Sequence, residues 1–429
     1  MPKKINIAII GLGQIGNYLL NELNKNKREI LIKTGKQINI VAISARNINK
    51  KRKFKINKKI FFKKPLDIIN KKKIDILIEA IGHSDGISKK IIEAALKKKI
   101  HVVTPNKALI SKHGDYLSKL AEKNKVNLEF EASVGGGIPI LRTIKEGLAT
   151  NKIDKVYGIL NGTCNYILSE MEITKDSFKN VLKKAQNLGY AEPVNPKLDL
   201  NGYDALAKVR ILSSLAFNKK ISKSPCLMEG IENIETKDIN IADQLNLRIK
   251  LLGITELINN KLFERVHPCL VKKNSYIANV NGVMNAVILN GRPVGESVLQ
   301  GEGAGPGPTS SALMSDILSI LRGNIKYPFG IPDIKRKKVK VYNIHNYSNS
   351  LYFRFEVKDQ PGVLSQITQK LAKNRISVER LIQIPDHKKK TASIVIITHK
   401  SKELDAQNCL KSFKSNKNIL KNPILIRLL

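Results

Sequence analysis

Tryptophan is absent from this 429-residue chain, and aromatic residues make up only 5% of it. Platforms for stacking nucleic-acid bases are therefore scarce. Cysteine is sparse too: Cys164, Cys226, Cys269 and Cys409 are scattered and form no CxxC pair. That pattern argues against a metal cluster or a disulfide framework and fits a reducing compartment. No apolar run is long enough to read as a membrane span. The opening MPKKINIAII leads straight into a glycine turn and a helix, without the pattern of a cleaved signal. We therefore expect a cytoplasmic protein with no membrane partner. Acidic residues are also few, 36 Asp and Glu against 75 Lys and Arg, a net charge of +39. One reading of that charge is a nucleic-acid binder. The other is a lysine-rich composition spread over solvated faces. Basic runs such as NKKRKFKINKK and IKRKKVK are short, dispersed and placed where loops or helix ends are expected. The second reading is favoured, with no specific nucleic-acid partner and only weak, salt-sensitive attraction to polyanions.

What is present is a core. Hydrophobic residues make up 42% of the chain, and its length suggests about three domains. The opening KINIAIIGLGQIGNYLLNEL sets six residues, GLGQIG, between an isoleucine-rich strand and a helix. Glycines alone mark many tight bends, but strand, glycines and helix stand here in the order of a dinucleotide fingerprint. In that reading Gly11 permits the turn, Gly13 lets backbone approach a pyrophosphate, and Gly16 lets helix and strand pack closely. Leu12, Gln14 and Ile15 complete the loop, whose helix start offers N–H groups to phosphate. Strands at 38–44, 74–82 and 101–104, separated by helices, extend the pattern into βαβ units and a parallel sheet. The fold class is α/β with a Rossmann-type first domain, 1–131, completed by helices from 305–330. An α+β catalytic and dimerisation domain covers 132–304, and a polar, basic linker covers 331–350. Residues 351–429 read βαββαβ, a ferredoxin-like module.

NAD-specific sites usually carry an acid after the second strand. Here that strand ends Ser44-Ala45-Arg46, followed by Lys50, Lys51 and Arg52. An arginine suits a 2′-phosphate, which favours NADP(H), with NAD(H) as the alternative. In the middle of the chain, Asp204 and Lys208 are four apart and share a helix face, with Glu192 and Asp199 in the turn before. Lys107 sits just past a strand's carboxyl end, where ligands collect in open α/β sheets. On spacing alone the Asp204–Lys208 pair is unremarkable and reads first as a helix-surface ion pair.

The motifs VVTPNKALIS, FEASVGGGIPILRTIKEGL, YGILNGTCNYIL, PKLDLNGYDALAKVRILSSLAF and GEGAGPGPTSSALMSDI resemble homoserine dehydrogenase, in order, from the opening fingerprint to about residue 330. The tail FRFEVKDQPGVLSQITQKLAKNRISVERL resembles an ACT domain. The resemblance implies reversible reduction of L-aspartate 4-semialdehyde to L-homoserine with NAD(P)H, a step towards threonine, isoleucine and methionine. It implies Lys208 as proton donor, Lys107 as substrate-binding and relay residue, and Glu192 as partner of the substrate ammonium. Asp199 and Asp204 would order the substrate and the lysines. Thr104, Lys107 and Gly303 would meet the cofactor. Backbone carbonyls of Glu131, Val134, Gly136 and Ile138 would hold Na+ or K+, although the residues alone favour a tight strand-to-helix turn. The tail implies an amino-acid effector, threonine expected, at the DQPGVL loop 359–364, or a role confined to assembly, and a homodimer or homotetramer. Departures are modest: IGHSDG in a loop that is more glycine-rich in the family, Pro105, Glu302, and Cys164 where Thr is common. A catalytically inactive sensor is the alternative, disfavoured because Lys107, Glu192, Asp204 and Lys208 are all present. Aspartate semialdehyde dehydrogenase would need a nucleophilic Cys with a His partner, which the sequence does not suggest.

Overall fold

The computed structural model describes residues 2–192, 195–323, 326–414 and 416–429. Pro193 and Val194, inside the expected polar turn, lie outside the described residues. Six strands open the chain: β1 (Lys3–Ile10), β2 (Lys36–Ser44), β3 (Phe61–Phe62), β4 (Ile76–Glu79), β5 (His101–Val103) and β6 (Leu128–Glu129). They form one parallel sheet in the order β3-β2-β1-β4-β5-β6. This is the doubly wound dinucleotide-binding order. Both faces of the sheet are covered, which is why its strands are runs of isoleucine rather than alternations. Ile7 and Ile9 pack under the helix Gln14–Lys25, while Ala8 and Ile10 face the helices Ile87–Lys97 and Lys107–Asn124. The helix Pro306–Leu321 returns from far along the chain and buries Leu313 and Ile317 in the same cluster as Ile7 and Leu19.

A second sheet follows: β7 (Lys152–Ile159), β8 (Leu227–Met228), β9 (Leu247–Ile258), β10 (Lys261–Lys272), β11 (Met284–Arg292) and β12 (Gly295–Glu302). It runs β12-β11-β7-β9-β10 with antiparallel neighbours, and β8 lies parallel against β10. Leu168 and Val209, from the helices Gly162–Thr174 and Tyr203–Ala216, are buried in one cluster with Val156, Leu251 and Val287 of this sheet.

The last unit has β13 (Ser348–Asn349), β14 (Leu351–Lys358), β15 (Val378–Asp386), β16 (Thr391–Thr398), β17 (Ser401–Lys402) and β18 (Ile424–Leu428). Its main strands run β18-β14-β16-β15, with helices Val363–Lys373 and Glu403–Ser412, as the βαββαβ pattern requires. Sequence pattern did not foretell its docking. β18 pairs in parallel with β10, Cys269 opposite Arg427 and Leu270 opposite Leu428, so the two sheets are continuous. Buried charge reinforces the junction. Arg354 Nε lies 2.6 Å from Asp238 Oδ1, and Tyr352 donates its hydroxyl to the same oxygen at 2.7 Å. A buried charge is tolerable only when paired in this way. The connecting segment 331–350 is anchored as well: Arg336 donates to Asp115 Oδ1 at 2.7 Å and lies 3.9 Å from the centre of the Phe329 ring.

Candidate active site

The three fingerprint glycines do different work. Gly11 has φ +98°, and a Cβ there would fall 2.5 Å from Ala80 O. A Cβ on Gly16 would fall 1.9 Å from Gly11 O. Both are glycine because the protein's own backbone fills the space. A Cβ on Gly13 would meet nothing within 4 Å. Gly13 therefore faces open space at the start of the helix Gln14–Lys25, where free N–H groups and the positive dipole end suit a pyrophosphate. The residues present fit a dinucleotide. Arg46 is exposed just past β2. Arg52, by contrast, is committed to the fold: its Nε donates to Leu12 O at 3.1 Å and its terminal nitrogens to Asn47 O, Ile48 O and Lys50 O.

At the carboxyl ends of β4 and β5, Glu79 is fully buried. It accepts from Ile81 N at 2.9 Å, Gly82 N at 3.2 Å, Thr104 Oγ1 at 2.6 Å and Asn106 Nδ2 at 3.3 Å. A buried carboxylate needs such donors. Asn106 Oδ1 in turn accepts from Leu109 N and caps the helix Lys107–Asn124. This fixes Lys107 at the helix start, beside Thr104.

The second sheet supplies the other half. Its strand β7 ends at Ile159; Leu160 and Asn161 follow, and Asn161 caps the helix Gly162–Thr174 by accepting from Cys164 N at 2.8 Å. The Asn161 amide nitrogen then donates to two acids, Asp199 Oδ1 at 2.9 Å and Asp204 Oδ2 at 3.1 Å. Lys208, buried in the helix Tyr203–Ala216, donates to Leu160 O at 2.5 Å and Asp204 Oδ2 at 2.8 Å. Lys107 Nζ lies 2.8 Å from Asp204 Oδ1. One carboxylate therefore joins two ammonium groups.

Their surroundings pull the two lysines apart. Lys208 has a side chain 8% exposed, and burial pushes its pKa below 10.5 despite Asp204. Lys107 is 42% exposed, and the Asp204 charge raises it. Burial disfavours charge on Asp204, but Lys208 and Lys107 outweigh it and hold that carboxyl well below the usual range. Burial, then the neighbouring Asp204, raises Asp199. Opposed shifts in adjacent titratable groups mark a site fit for proton transfer.

Glu192 is exposed on the loop after Leu188. That loop is tied down where Thr163 donates to Tyr190 O at 2.6 Å. The two glycine runs come together. A Cβ on Gly136 would fall 2.5 Å from Gly303 O, and Gly137 N donates to Glu302 O at 3.1 Å. A Cβ on Gly303 would fall 2.0 Å from the Asn285 amide. In the run after β6, Gly135 and Gly136 have φ +71° and +55°, which turns successive carbonyls. Glu131 O accepts from Val134 N at 3.3 Å and Ile138 O from Ile140 N at 2.8 Å, each leaving a lone pair. The carbonyl-lined turn suits a hard monovalent cation in donor type. Among the described residues no group of three or more His, Cys, Asp or Glu is arranged to hold a metal ion.

Sequence reading assigned no role to Asn161, Glu79 or Asn285. Asn161 had a signal, an Asn ahead of a helix in NGTCNY, but its contacts to Asp199 and Asp204 span 38 and 43 residues of chain.

Comparison with known proteins bears on this geometry. A family model described as the homoserine dehydrogenase NAD binding domain matches residues 11–131. The homoserine dehydrogenase model matches 139–318, and the ACT domain model matches 352–417. The homoserine dehydrogenase of Neisseria gonorrhoeae is 38% identical over 432 residues, covering 99% of each chain. That of Helicobacter pylori is 37% identical over 431 residues, covering 100% of each. The crystal structure of a homoserine dehydrogenase from Thiobacillus denitrificans superposes with a TM-score of 0.90 at 34% identity, covering 100% of this chain and 98% of that one.

Proposed function

This chain belongs to the homoserine dehydrogenase family, oxidoreductases with an NAD-binding domain and here a carboxy-terminal ACT domain, and from that premise we propose that it reversibly reduces L-aspartate 4-semialdehyde to L-homoserine with NADPH. The observation that carries the reading is the Lys107–Asp204–Lys208 bridge between the two sheets. A nicotinamide held at the fingerprint would supply the hydride for the aldehyde carbon. Lys208 holds the proton that the developing alkoxide takes up, and its lowered pKa favours that transfer. Asp204 orients both lysines. Lys107 binds substrate and relays protons to solvent, and Asp199 orders the substrate with Asn161. Glu192 pairs with the substrate ammonium. Gly11, Gly13, Gly16, Leu12, Gln14 and Ile15 would seat the pyrophosphate, Arg46 would take the 2′-phosphate, and Thr104 and Gly303 would hold the nicotinamide end.

The carbonyls of Glu131, Val134, Gly136 and Ile138 would hold Na+ or K+ in the loop that abuts Gly303. Threonine, bound at the ACT loop 359–364, inhibits. In that loop Gln383 donates to Asp359 Oδ1 at 3.4 Å and Gln360 to Asn418 Oδ1 at 3.0 Å. The protein works as a homodimer or homotetramer in the cytoplasm, on the path to threonine, methionine and isoleucine. Among the described residues no helix is long and apolar enough to cross a membrane. The test is turnover of aspartate semialdehyde with NADPH and NADH in parallel, each with and without threonine, in sodium or potassium buffer. NADPH oxidation inhibited by threonine is the expected result. No turnover in either salt overturns the activity, and a flat response to millimolar threonine leaves the ACT domain an assembly role only.

A further inference from the structure

The carboxy-terminal strand reaches towards the catalytic acids by a short series of contacts. Arg427, on β18, has a side chain 1% exposed. Its guanidinium makes two bidentate clasps. One is to Glu403 of its own unit, at 2.9 and 2.6 Å. The other crosses to Glu229, just past β8, at 2.7 and 3.0 Å. Such fork-to-carboxylate pairs fix orientation as well as distance. Glu229 also donates its N–H to Val266 O of β10 at 2.8 Å. The next two residues lean on the active-site turn. A Cβ on Gly230 would fall 2.1 Å from Leu200 O, so the two backbones are in direct contact. Ile231 N donates to that same Leu200 O at 3.1 Å. Leu200 follows Asp199, and Gly202, with φ +87°, opens the helix that carries Asp204 and Lys208. Val266 closes the circuit: its Cγ1 would lie 2.9 Å from a Cβ on Gly202.

We propose that Arg427 is a positioning residue for the active site: by clasping Glu229 it holds segment 229–231 against Leu200, and so fixes the turn that carries Asp199. The proposal rests on the reading of Asp199 as a substrate-ordering group, but one arm of its test does not. Two properties of the contacts make the coupling specific. The buttress is backbone against backbone, so it cannot be relaxed by a side-chain rotation. Arg427 also has Glu403, which alone would still neutralise the guanidinium. Glu229 is thus free to act across the junction without being required for burial of the arginine.

Glu229→Gln is the informative variant, because Arg427 stays paired with Glu403 and the chain folds. Amide hydrogen exchange at 199–202 is expected to quicken about 10-fold, and KM for aspartate semialdehyde to rise about 3- to 10-fold, with KM for NADPH unchanged. Gly230→Ala, which pushes on Leu200 O directly, is expected to move both readouts further. Arg427→Lys, which keeps charge but loses the fork, should resemble Glu229→Gln, and the double variant should be no worse than either alone. Wild-type exchange and KM in Glu229→Gln, whatever its melting temperature, overturn the proposal. So does a Gly230→Ala effect unaccompanied by one in Glu229→Gln, since the strand would then need no clasp. Absence of wild-type turnover would refute the activity reading alone, and the exchange measurement would still decide this one.

Discussion

Asp204 joins two lysines from helices on different sheets, its Oδ1 2.8 Å from Lys107 Nζ and its Oδ2 2.8 Å from Lys208 Nζ. One carboxylate thereby compensates two ammonium groups, and the buried one is the more willing proton donor.

Lys208→Ala should lower kcat for aldehyde reduction by about 100-fold or more, the usual scale for a positioned general acid. KM for NADPH should change little, because Lys208 lies outside the fingerprint. Steady-state kinetics on the purified variant check this, and near-normal kcat would remove Lys208 from the chemistry.

In the proposed reaction Lys208 gives up its proton as an ammonium, and burial lowers its pKa. The alkaline limb of kcat should therefore fall at a pH below the ordinary lysine value of 10.5. Asn161→Asp adds negative charge beside Asp204, favours the ammonium and should shift that limb to higher pH. A pH–rate profile of the two proteins reads the shift, and movement in the opposite direction would contradict the assignment.

Gly13→Ala and Gly16→Ala separate ligand space from packing space. The added methyl at Gly13 meets nothing of the protein within 4 Å, so melting temperature should hold while KM for NADPH rises about 10-fold or more. At Gly16 the methyl collides with Gly11 O, so stability itself should fall. Thermal melts with kinetics distinguish the two, and equal destabilisation would mean that Gly13 is structural.

Arg46→Ala should raise KM for NADPH about 10-fold, in keeping with one lost charge-assisted bond, and leave KM for NADH unchanged. The same substitution at Arg52 should instead harm both cofactors alike, because Arg52 braces Leu12 O.

Local signals carried the first domain. The run from Ile5 to Ile10, the three glycines and the following helix lie within about twenty residues, and chain geometry alone sets them side by side. The βαββαβ rhythm after Leu351 was legible for the same reason. Asp204 and Lys208 share one helix face, so spacing revealed their pairing but not that Lys107 would complete it. Asn161 and Glu79 were missed because their side-chain partners lie 25 to 43 residues away, and nothing in a helix or strand period encodes which acid meets which amide or hydroxyl. The parallel pairing of β18 with β10 was hidden too. Arg427 and Glu229 are 198 residues apart, and each alone reads as an ordinary charged residue at a strand end.

The late arrival of β18 has a consequence for biogenesis. Ribosomal synthesis is vectorial, and at typical rates β18 emerges on the order of ten seconds after β10. Throughout that interval the Cys269–Leu270 portion of β10 lacks the strand that later pairs with it, an open hydrogen-bonding edge. Chaperone occupancy of ribosome-bound nascent chains should therefore persist over this stretch until the final strand has cleared the exit tunnel.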